Sequence, residues 1–328
     1  MRRYNYAIPL VIVVILLVFT LTRDRGKGVP EHYDSRLMMD TFVEITLWGE
    51  GSVSGEAGLD SAFAVIAGIG ALLGDGLMTA SDWGALQAPE ADSIMARSLA
   101  AWRRTEGLFD PTIGSVSRLW EFYPDATPPD PDSVETALAW VGLDRYLAPG
   151  GVPGGDGSDF VLDIGGVAKG YALDLAAAAI VRLGFPAALL NAGGDIKIIG
   201  EKPGGGPWRI AVRHPRKRDA FLGCLELRPA AVATSGDYER SFTYRGERYH
   251  HILDPRDGMP SRASVSVTVV GSDAGLCDAL ATGLFVMGGG EALALAEALP
   301  GIEAVFVFGE GIDVVTTSGI AGSFERME

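Results

Sequence analysis

Asp278 and Thr282 stand four residues apart in Ser272-Asp273-Ala274-Gly275-Leu276-Cys277-Asp278-Ala279-Leu280-Ala281-Thr282. On a helix that spacing puts a carboxylate and a hydroxyl on one face, with Ser272 as the N-cap and Leu276, Leu280 and Leu284 packing inward. Two hard oxygen donors suit Mg²⁺, which takes the rest of its octahedron from phosphate oxygens and water. The pair alone is ordinary, since such residues usually face solvent or bond back to the helix.

A second stretch, Val161-Leu162-Asp163-Ile164-Gly165-Gly166-Val167-Ala168-Lys169-Gly170-Tyr171-Ala172, runs from an apolar strand end through glycines into a helix. Glycines there admit a close backbone approach, a helix N-terminus favours an anion, and Lys169 adds positive charge one turn in. The spacing is neither that of a Walker loop nor that of a dinucleotide fingerprint, and a turn serving geometry alone has equal standing.

His250 and His251 precede the turn Asp254-Pro255-Arg256-Asp257-Gly258. Neighbours on a strand point to opposite faces, so one of the two serves a given site, with acid–base work as its chemistry. No third ligand stands at a zinc spacing. Thr105–Gly114 and Asn191–Ile196 read as polar turns.

In order, these segments are Thr-x-Gly-x-Phe-Asp-Pro-Thr-x-Gly from Thr105, Asp-x-Gly-Gly-x-Ala-Lys-Gly-Tyr-Ala-x-Asp from Asp163 and Asn-Ala-Gly-Gly-Asp from Asn191. Thr-Ser-Gly-x-Tyr from Thr234, His-His-Ile-x-Asp-Pro-x-x-Gly from His250 and Asp-Ala-Leu-Ala-Thr from Asp278 follow. The series resembles the ApbE family, the FAD:protein FMN transferases, over about residues 38 to 320. The resemblance implies an α+β fold, a single domain over 35–328 with mixed strands and helices around a flavin-binding cleft. It implies Mg²⁺ on the FAD diphosphate, held by Asp278, Thr282 and the Gly166 carbonyl. Flavin and phosphate contacts are implied for Met39, Leu108, Phe109, Asp110, Asp163, Lys169 and Ile252, and a role for His251 in taking the proton from the acceptor. The implied reaction moves FMN from FAD to a threonine hydroxyl of another protein and releases AMP. That acceptor is expected to be a membrane redox subunit. The alternatives are an FAD pyrophosphatase giving FMN and AMP and a degenerate FAD-binding module. Two positions depart from the family pattern. Asp40 replaces the usual glycine of Met-Gly-Thr, where its side chain would crowd the cleft or bring negative charge to the phosphates. In Met78–Trp83 no tyrosine aligns, and Trp83 is the candidate aromatic face.

Elements must then carry these residues. Phe42–Trp48 alternates Val43, Ile45 and Leu47 with Glu44 and Thr46, which predicts a strand with one buried face. Strands are also predicted at 187–190, 196–199, 208–212, 224–227, 265–270 and 305–308. Helices are predicted at 57–73, 93–105, 166–183, 274–286 and 291–299, and over 130–141 with Asp130 as N-cap and Pro131 in the first turn. Residues 148–159 read as a glycine-rich loop. Without a regular βαβ rhythm, α+β is favoured over a doubly wound sheet.

Composition sets the surroundings. The chain has 328 residues, 48% hydrophobic and 21% charged, which permits a full core. A net charge of −15 disfavours nucleic acid as a partner. Cys224 and Cys277 show no metal spacing and read as small buried residues, with a disulfide left open for an oxidising compartment. Arg2 and Arg3 precede an apolar run, residues 7–21, that is somewhat short of the roughly 20 residues of a span. Residues 1–34 are read as an uncleaved signal anchor and linker, with cleavage the second reading. The chain is then expected in the inner (cell) membrane, as a single-pass protein with its catalytic domain extracytoplasmic.

Overall fold

The computed structural model describes residues 29–86, 88–147 and 160–327, so the apolar run at residues 7–21 and the loop at 148–159 lie outside the described residues. The chain begins with β1 (Glu31–Met38), β2 (Thr41–Trp48), α1 (Gly55–Leu73), β3 (Leu77–Thr79), α2 (Ala80–Ala85), α3 (Pro89–Arg104), α4 (Gly114–Ser117) and α5 (Pro131–Leu138). It continues with β4 (Val161–Asp163), α6 (Gly165–Arg182), β5 (Ala187–Ala192), β6 (Asp195–Ile199), β7 (Trp208–Arg213), β8 (Phe221–Leu227) and β9 (Ala231–Gly236). The remainder is β10 (Ser241–Tyr244), β11 (Glu247–His250), β12 (Ser266–Gly271), α7 (Ala274–Met287), α8 (Gly289–Ala298), β13 (Glu303–Phe308), β14 (Asp313–Thr316) and β15 (Phe324–Arg326).

An eight-stranded sheet in the order β1-β2-β5-β6-β9-β12-β13-β14 forms the centre, with antiparallel neighbours throughout. Strand periodicity divides its side chains between two cores. Ala188, Leu190, Ala304 and Phe306 point into the core shared with α1, α6 and α7. Leu189, Val305 and Val307 point the other way, onto Trp208, Ile210 and Leu225 of the three-stranded sheet β15-β8-β7. A third cluster joins Val116, Trp120 and Val134 to Phe242 of the β10–β11 hairpin and to Leu253. This helix–sheet–sheet layering is an α+β architecture, as the sequence predicts.

Several elements differ from their sequence-based boundaries. Residues 31–34, read as linker, begin β1, whose pairing with β2 no local pattern announces. β2, central between β1 and β5, is buried on both faces: Glu44 and Thr46 are enclosed as well as Val43, Ile45 and Leu47. Glu44 accepts hydrogen bonds from Tyr33 Oη at 3.0 Å and Asn191 Nδ2 at 2.9 Å. The α7 N-cap is Asp273, whose Oδ1 accepts from Leu276 N at 2.8 Å, whereas Ser272 gives its carbonyl to Lys197. Asp130 and Pro131 open α5 as predicted, but the helix stops at Leu138. Cys224 and Cys277 are both free and buried.

Among the described residues one helix, α1, is long and apolar enough to cross a membrane by length and composition. One face of it packs on α6 and on the β1–β2 hairpin, and the opposite face is exposed.

α6 and α7 cross where Gly170 meets Ala274: a Cβ on Gly170 would sit 2.2 Å from the Ala274 carbonyl oxygen. Backbone cannot retreat cheaply, so Gly170→Ala should lower stability by about 1–3 kcal/mol, read as a reduced urea midpoint.

Candidate functional site

The carboxylate of Asp278 is the one charge in an otherwise apolar helix, and the residue is 5% exposed. Burying an anion is costly unless it is paired. Lys169 Nζ, on α6, lies 3.4 Å from Asp278 Oδ2, and Gly170 N donates to the same oxygen at 3.4 Å. Lys169 Nζ is also 3.1 Å from Asp195 Oδ2 at the start of β6. The approach lacks hydrogen-bond alignment, and that buried oxygen has no hydrogen-bond partner. Burial pushes the Asp278 carboxyl up to about 7; Lys169 pulls against this and Asp195 adds to it. Burial disfavours the Lys169 charge as well, but Asp195 and Asp278 outweigh it and hold the ammonium above its ordinary range.

One turn further along α7, Thr282 Oγ1 shares a hydrogen bond with Ser235 Oγ at 3.0 Å. Gly166 faces it from the first turn of α6, where φ −82° and ψ 15° break the helical geometry. A Cβ on Gly166 would stand 3.3 Å from Thr282 Oγ1 and 3.2 Å from the Phe109 ring, so only glycine leaves this gap open. Asp163 closes the turn below, its Oδ1 accepting from Gly165 N at 3.0 Å.

The Phe109 loop is bolted to α7. Thr105 accepts from Phe109 N at 3.0 Å and fits against Gly283, where a Cβ would come within 2.6 Å of it. The carboxylate of Asp110 is taken up by this loop: it accepts from Trp102 Nε1, Thr112 N, Thr112 Oγ1 and Leu143 N. Its part is thus to fix the backbone that carries Leu108 and Phe109.

The two histidines separate cleanly. His250 is buried with both nitrogens engaged: Nδ1 accepts from Ile252 N at 3.3 Å, which leaves Nε2 to donate to the Ser261 carbonyl at 2.7 Å. Nδ1 of His251 is buried with no partner. The His251 ring meets Phe122 edge-on at 6.3 Å, and its backbone N donates to Arg240 O at 3.1 Å. Burial pushes its pKa down to about 3, helped by the positive charges of Arg240, His250 and Lys169. His251 therefore lies within the field of the Lys169 cluster and is neutral.

The structure thus brings Gly166, Lys169, Asp278, Thr282 and Phe109 together, with Asp163 beneath and His251 facing the same charges. Met39 and Asp40 occupy the β1–β2 hairpin tip with φ of 49° and 58°. Both positive values make the two-residue turn in which glycine or a short polar side chain is favoured, and aspartate is one that tolerates it. Asp40 points outward there, exposed. Ile252 is buried in the main core, as is Trp83, which presents no free aromatic face. Asp195 and Ser235 are the participants that residue-by-residue reading missed. Both sit inside quoted motifs, Asn-Ala-Gly-Gly-Asp and Thr-Ser-Gly-x-Tyr, where the available signal was a polar residue at a strand end.

Comparison with known proteins places the chain in a family. The family profile described as "ApbE family" matches residues 39–306, most of the chain. The chain belongs to the ApbE family. An FAD:protein FMN transferase of Rhodobacter capsulatus is 39% identical over 212 residues, 62% of this chain and 40% of that protein. One from Vibrio cholerae is 36% identical over 199 residues, 59% of this chain and 60% of that one. The chain thus spans less than two thirds of the curated relatives it matches. The ApbE crystal structure from Thermotoga maritima superposes with a TM-score of 0.77 at 30% identity, covering 91% of this chain and all of that one. The flavin transferase ApbE of Vibrio cholerae gives 0.78 at 25% identity, covering 90% of this chain and all of that one.

Proposed function

We infer that this chain is an FAD:protein FMN transferase: with Mg²⁺ it moves FMN from FAD to a threonine hydroxyl of an acceptor protein and releases AMP. The observation that carries the reading is the convergence of Asp278, Lys169 and Asp195 with the gap between Gly166 and Thr282. Family membership and the names of its relatives support it.

The residues fit a small hard cation. The donors Asp278 and Thr282 are oxygens, and the gap at Gly166 is one a Cβ would fill. Asp278, Thr282 and the Gly166 carbonyl would hold Mg²⁺, with the diphosphate and water completing its shell. When bound, the ion supplies charge neutralisation on the leaving phosphate. Lys169 adds a second positive charge and keeps Asp278 oriented. Phe109 and Leu108 give the site an apolar wall. His251, neutral and with Nδ1 unused, takes the acceptor's hydroxyl proton as oxygen bonds to the FMN phosphorus. We place the acceptor among membrane redox subunits and the chain itself at the membrane, anchored through residues 7–21.

The test is incubation with FAD, Mg²⁺ and a threonine-bearing acceptor peptide. Flavin fluorescence on the denatured peptide, abolished by EDTA and restored by Mg²⁺, is the expected result. Free FMN and AMP with no labelled peptide would make the chain a pyrophosphatase, and chelator-insensitive transfer would remove the metal from the reaction.

A further inference from the structure

The chain carries a net charge of −15, yet one place beside the site is basic. The end of β7 and the β7–β8 loop read Arg213-His214-Pro215-Arg216-Lys217-Arg218, four fixed cations in six residues. It is fastened to the segment that leads into the β10–β11 hairpin. Arg216 makes two hydrogen bonds to the Asp237 carboxylate, both 2.6 Å. Arg213 pairs with Glu239 at 3.1 Å and lies over the Tyr238 ring, 5.6 Å from its centroid. The hairpin adds Arg240, Arg245 and Arg248, and Arg240 is tied through its carbonyl to His251 N. The patch is therefore continuous with the catalytic side of the protein.

Its charges are not cancelled internally. The seven cations named face four carboxylates in the same two stretches, Asp219, Asp237, Glu239 and Glu247. Three of the four are already paired with Arg213, Arg216, Arg248 or Arg262. Lys217, Arg218, Arg240 and Arg245 are exposed and form no ion pair among the described residues. The field is felt locally: burial and the charges of Lys217 and Arg216 hold His214 below its ordinary range.

We propose that this rim, the β7–β8 loop with the outer side of the β10–β11 hairpin, docks an acidic segment of the acceptor protein and presents its threonine to His251. The assignment rests on the transferase reading and names the partner chemistry of that same site. Elsewhere the negative surface repels an acidic chain, so attraction confined to the rim steers it to the reacting centre. An anionic membrane is the other polyanion such a patch would attract. The rim's attachment to His251, the residue that follows β11, favours a protein segment over a lipid surface.

The test separates docking from chemistry by measuring binding without FAD or Mg²⁺. Fluorescein-labelled peptides with a central threonine flanked by aspartates, or by asparagines, are titrated with the protein and followed by anisotropy. The acidic peptide should bind about tenfold more tightly, an advantage that high salt erases. Lys217→Glu with Arg218→Glu should abolish it, and Lys217→Gln with Arg218→Gln should reduce it partway. Equal binding of the two peptides, or an unchanged preference in the charge-reversed variant, overturns the proposal. So does stronger binding to phosphatidylglycerol-containing vesicles that those substitutions remove, since the patch then serves the membrane. Acidic-peptide binding with no FMN transfer on adding FAD and Mg²⁺ would leave the rim in place and defeat the transferase reading instead.

Discussion

Asp278→Asn should give a folded protein that transfers no FMN and that, without metal, is more stable than the parent above about pH 7. If Asp278 holds Mg²⁺ as proposed, asparagine removes the charge that would recruit it, and a fall of at least about a thousandfold in transfer is expected. The stability gain follows from burial. Burial raises the Asp278 carboxyl from 3.8 to about 7, with Asp195 adding to the rise and Lys169 opposing it. A raised folded value means that the favourable, protonated form is fully populated below the unfolded value. Its contribution is lost as pH rises through about 7. Asparagine has the same shape and no charge to lose, and Lys169 keeps Asp195 as a partner. The difference should be on the order of 1–3 kcal/mol at about pH 8 and vanish near about pH 4, measured by urea denaturation in EDTA. A variant less stable than the parent at the higher pH would mean that the Lys169 ion pair outweighs the burial cost, and the site would then be a structural ion pair.

The sequence made the chemistry more legible than the scaffold. Asp278 and Thr282, like the glycine turn from Asp163 to Lys169, are ordinary singly and become legible through the ordered series of motifs that resembles the family. Asp195 is different. Its importance comes from β6 lying beside β5 and β9 and bringing that strand end against α6, a tertiary fact no local pattern contains. The first half of β1, residues 31–34, reads as linker for a related reason. Glu31–Met38 is polar with few alternating apolar residues and is held by its pairing with β2. The same burial on both faces defeats the simple alternation of β2, where Glu44 is enclosed because Tyr33 and Asn191 satisfy it. Asp40 sits exposed at the β1–β2 hairpin tip with a φ of 58°, a left-handed turn position that aspartate tolerates.

His251→Gln should lower transfer to the acceptor by about 10²–10³-fold while leaving FAD binding nearly unchanged. The geometry singles out this imidazole. His250 has both nitrogens committed to Ile252 N and the Ser261 carbonyl, so its replacement should cost stability before chemistry. His251 Nδ1 is buried, unpartnered and free to accept a proton. Burial first, then Arg240, His250 and Lys169, push its pKa from 6.5 to about 3. The base form is thus fully available at neutral pH, and kcat/KM should show no inflection near 6.5 from this residue. The depressed folded value also has a stability signature. The neutral imidazole's contribution is complete above 6.5 and is lost as pH falls through about 3, because the unfolded chain binds the proton first. Glutamine cannot titrate, so the variant should lose that part of the acid sensitivity along with its activity. An acid limb near 6.5 that the substitution removes would instead show His251 open to water and charging freely. In that case the positive surroundings do not hold it neutral, and proton removal from the threonine must fall to another group.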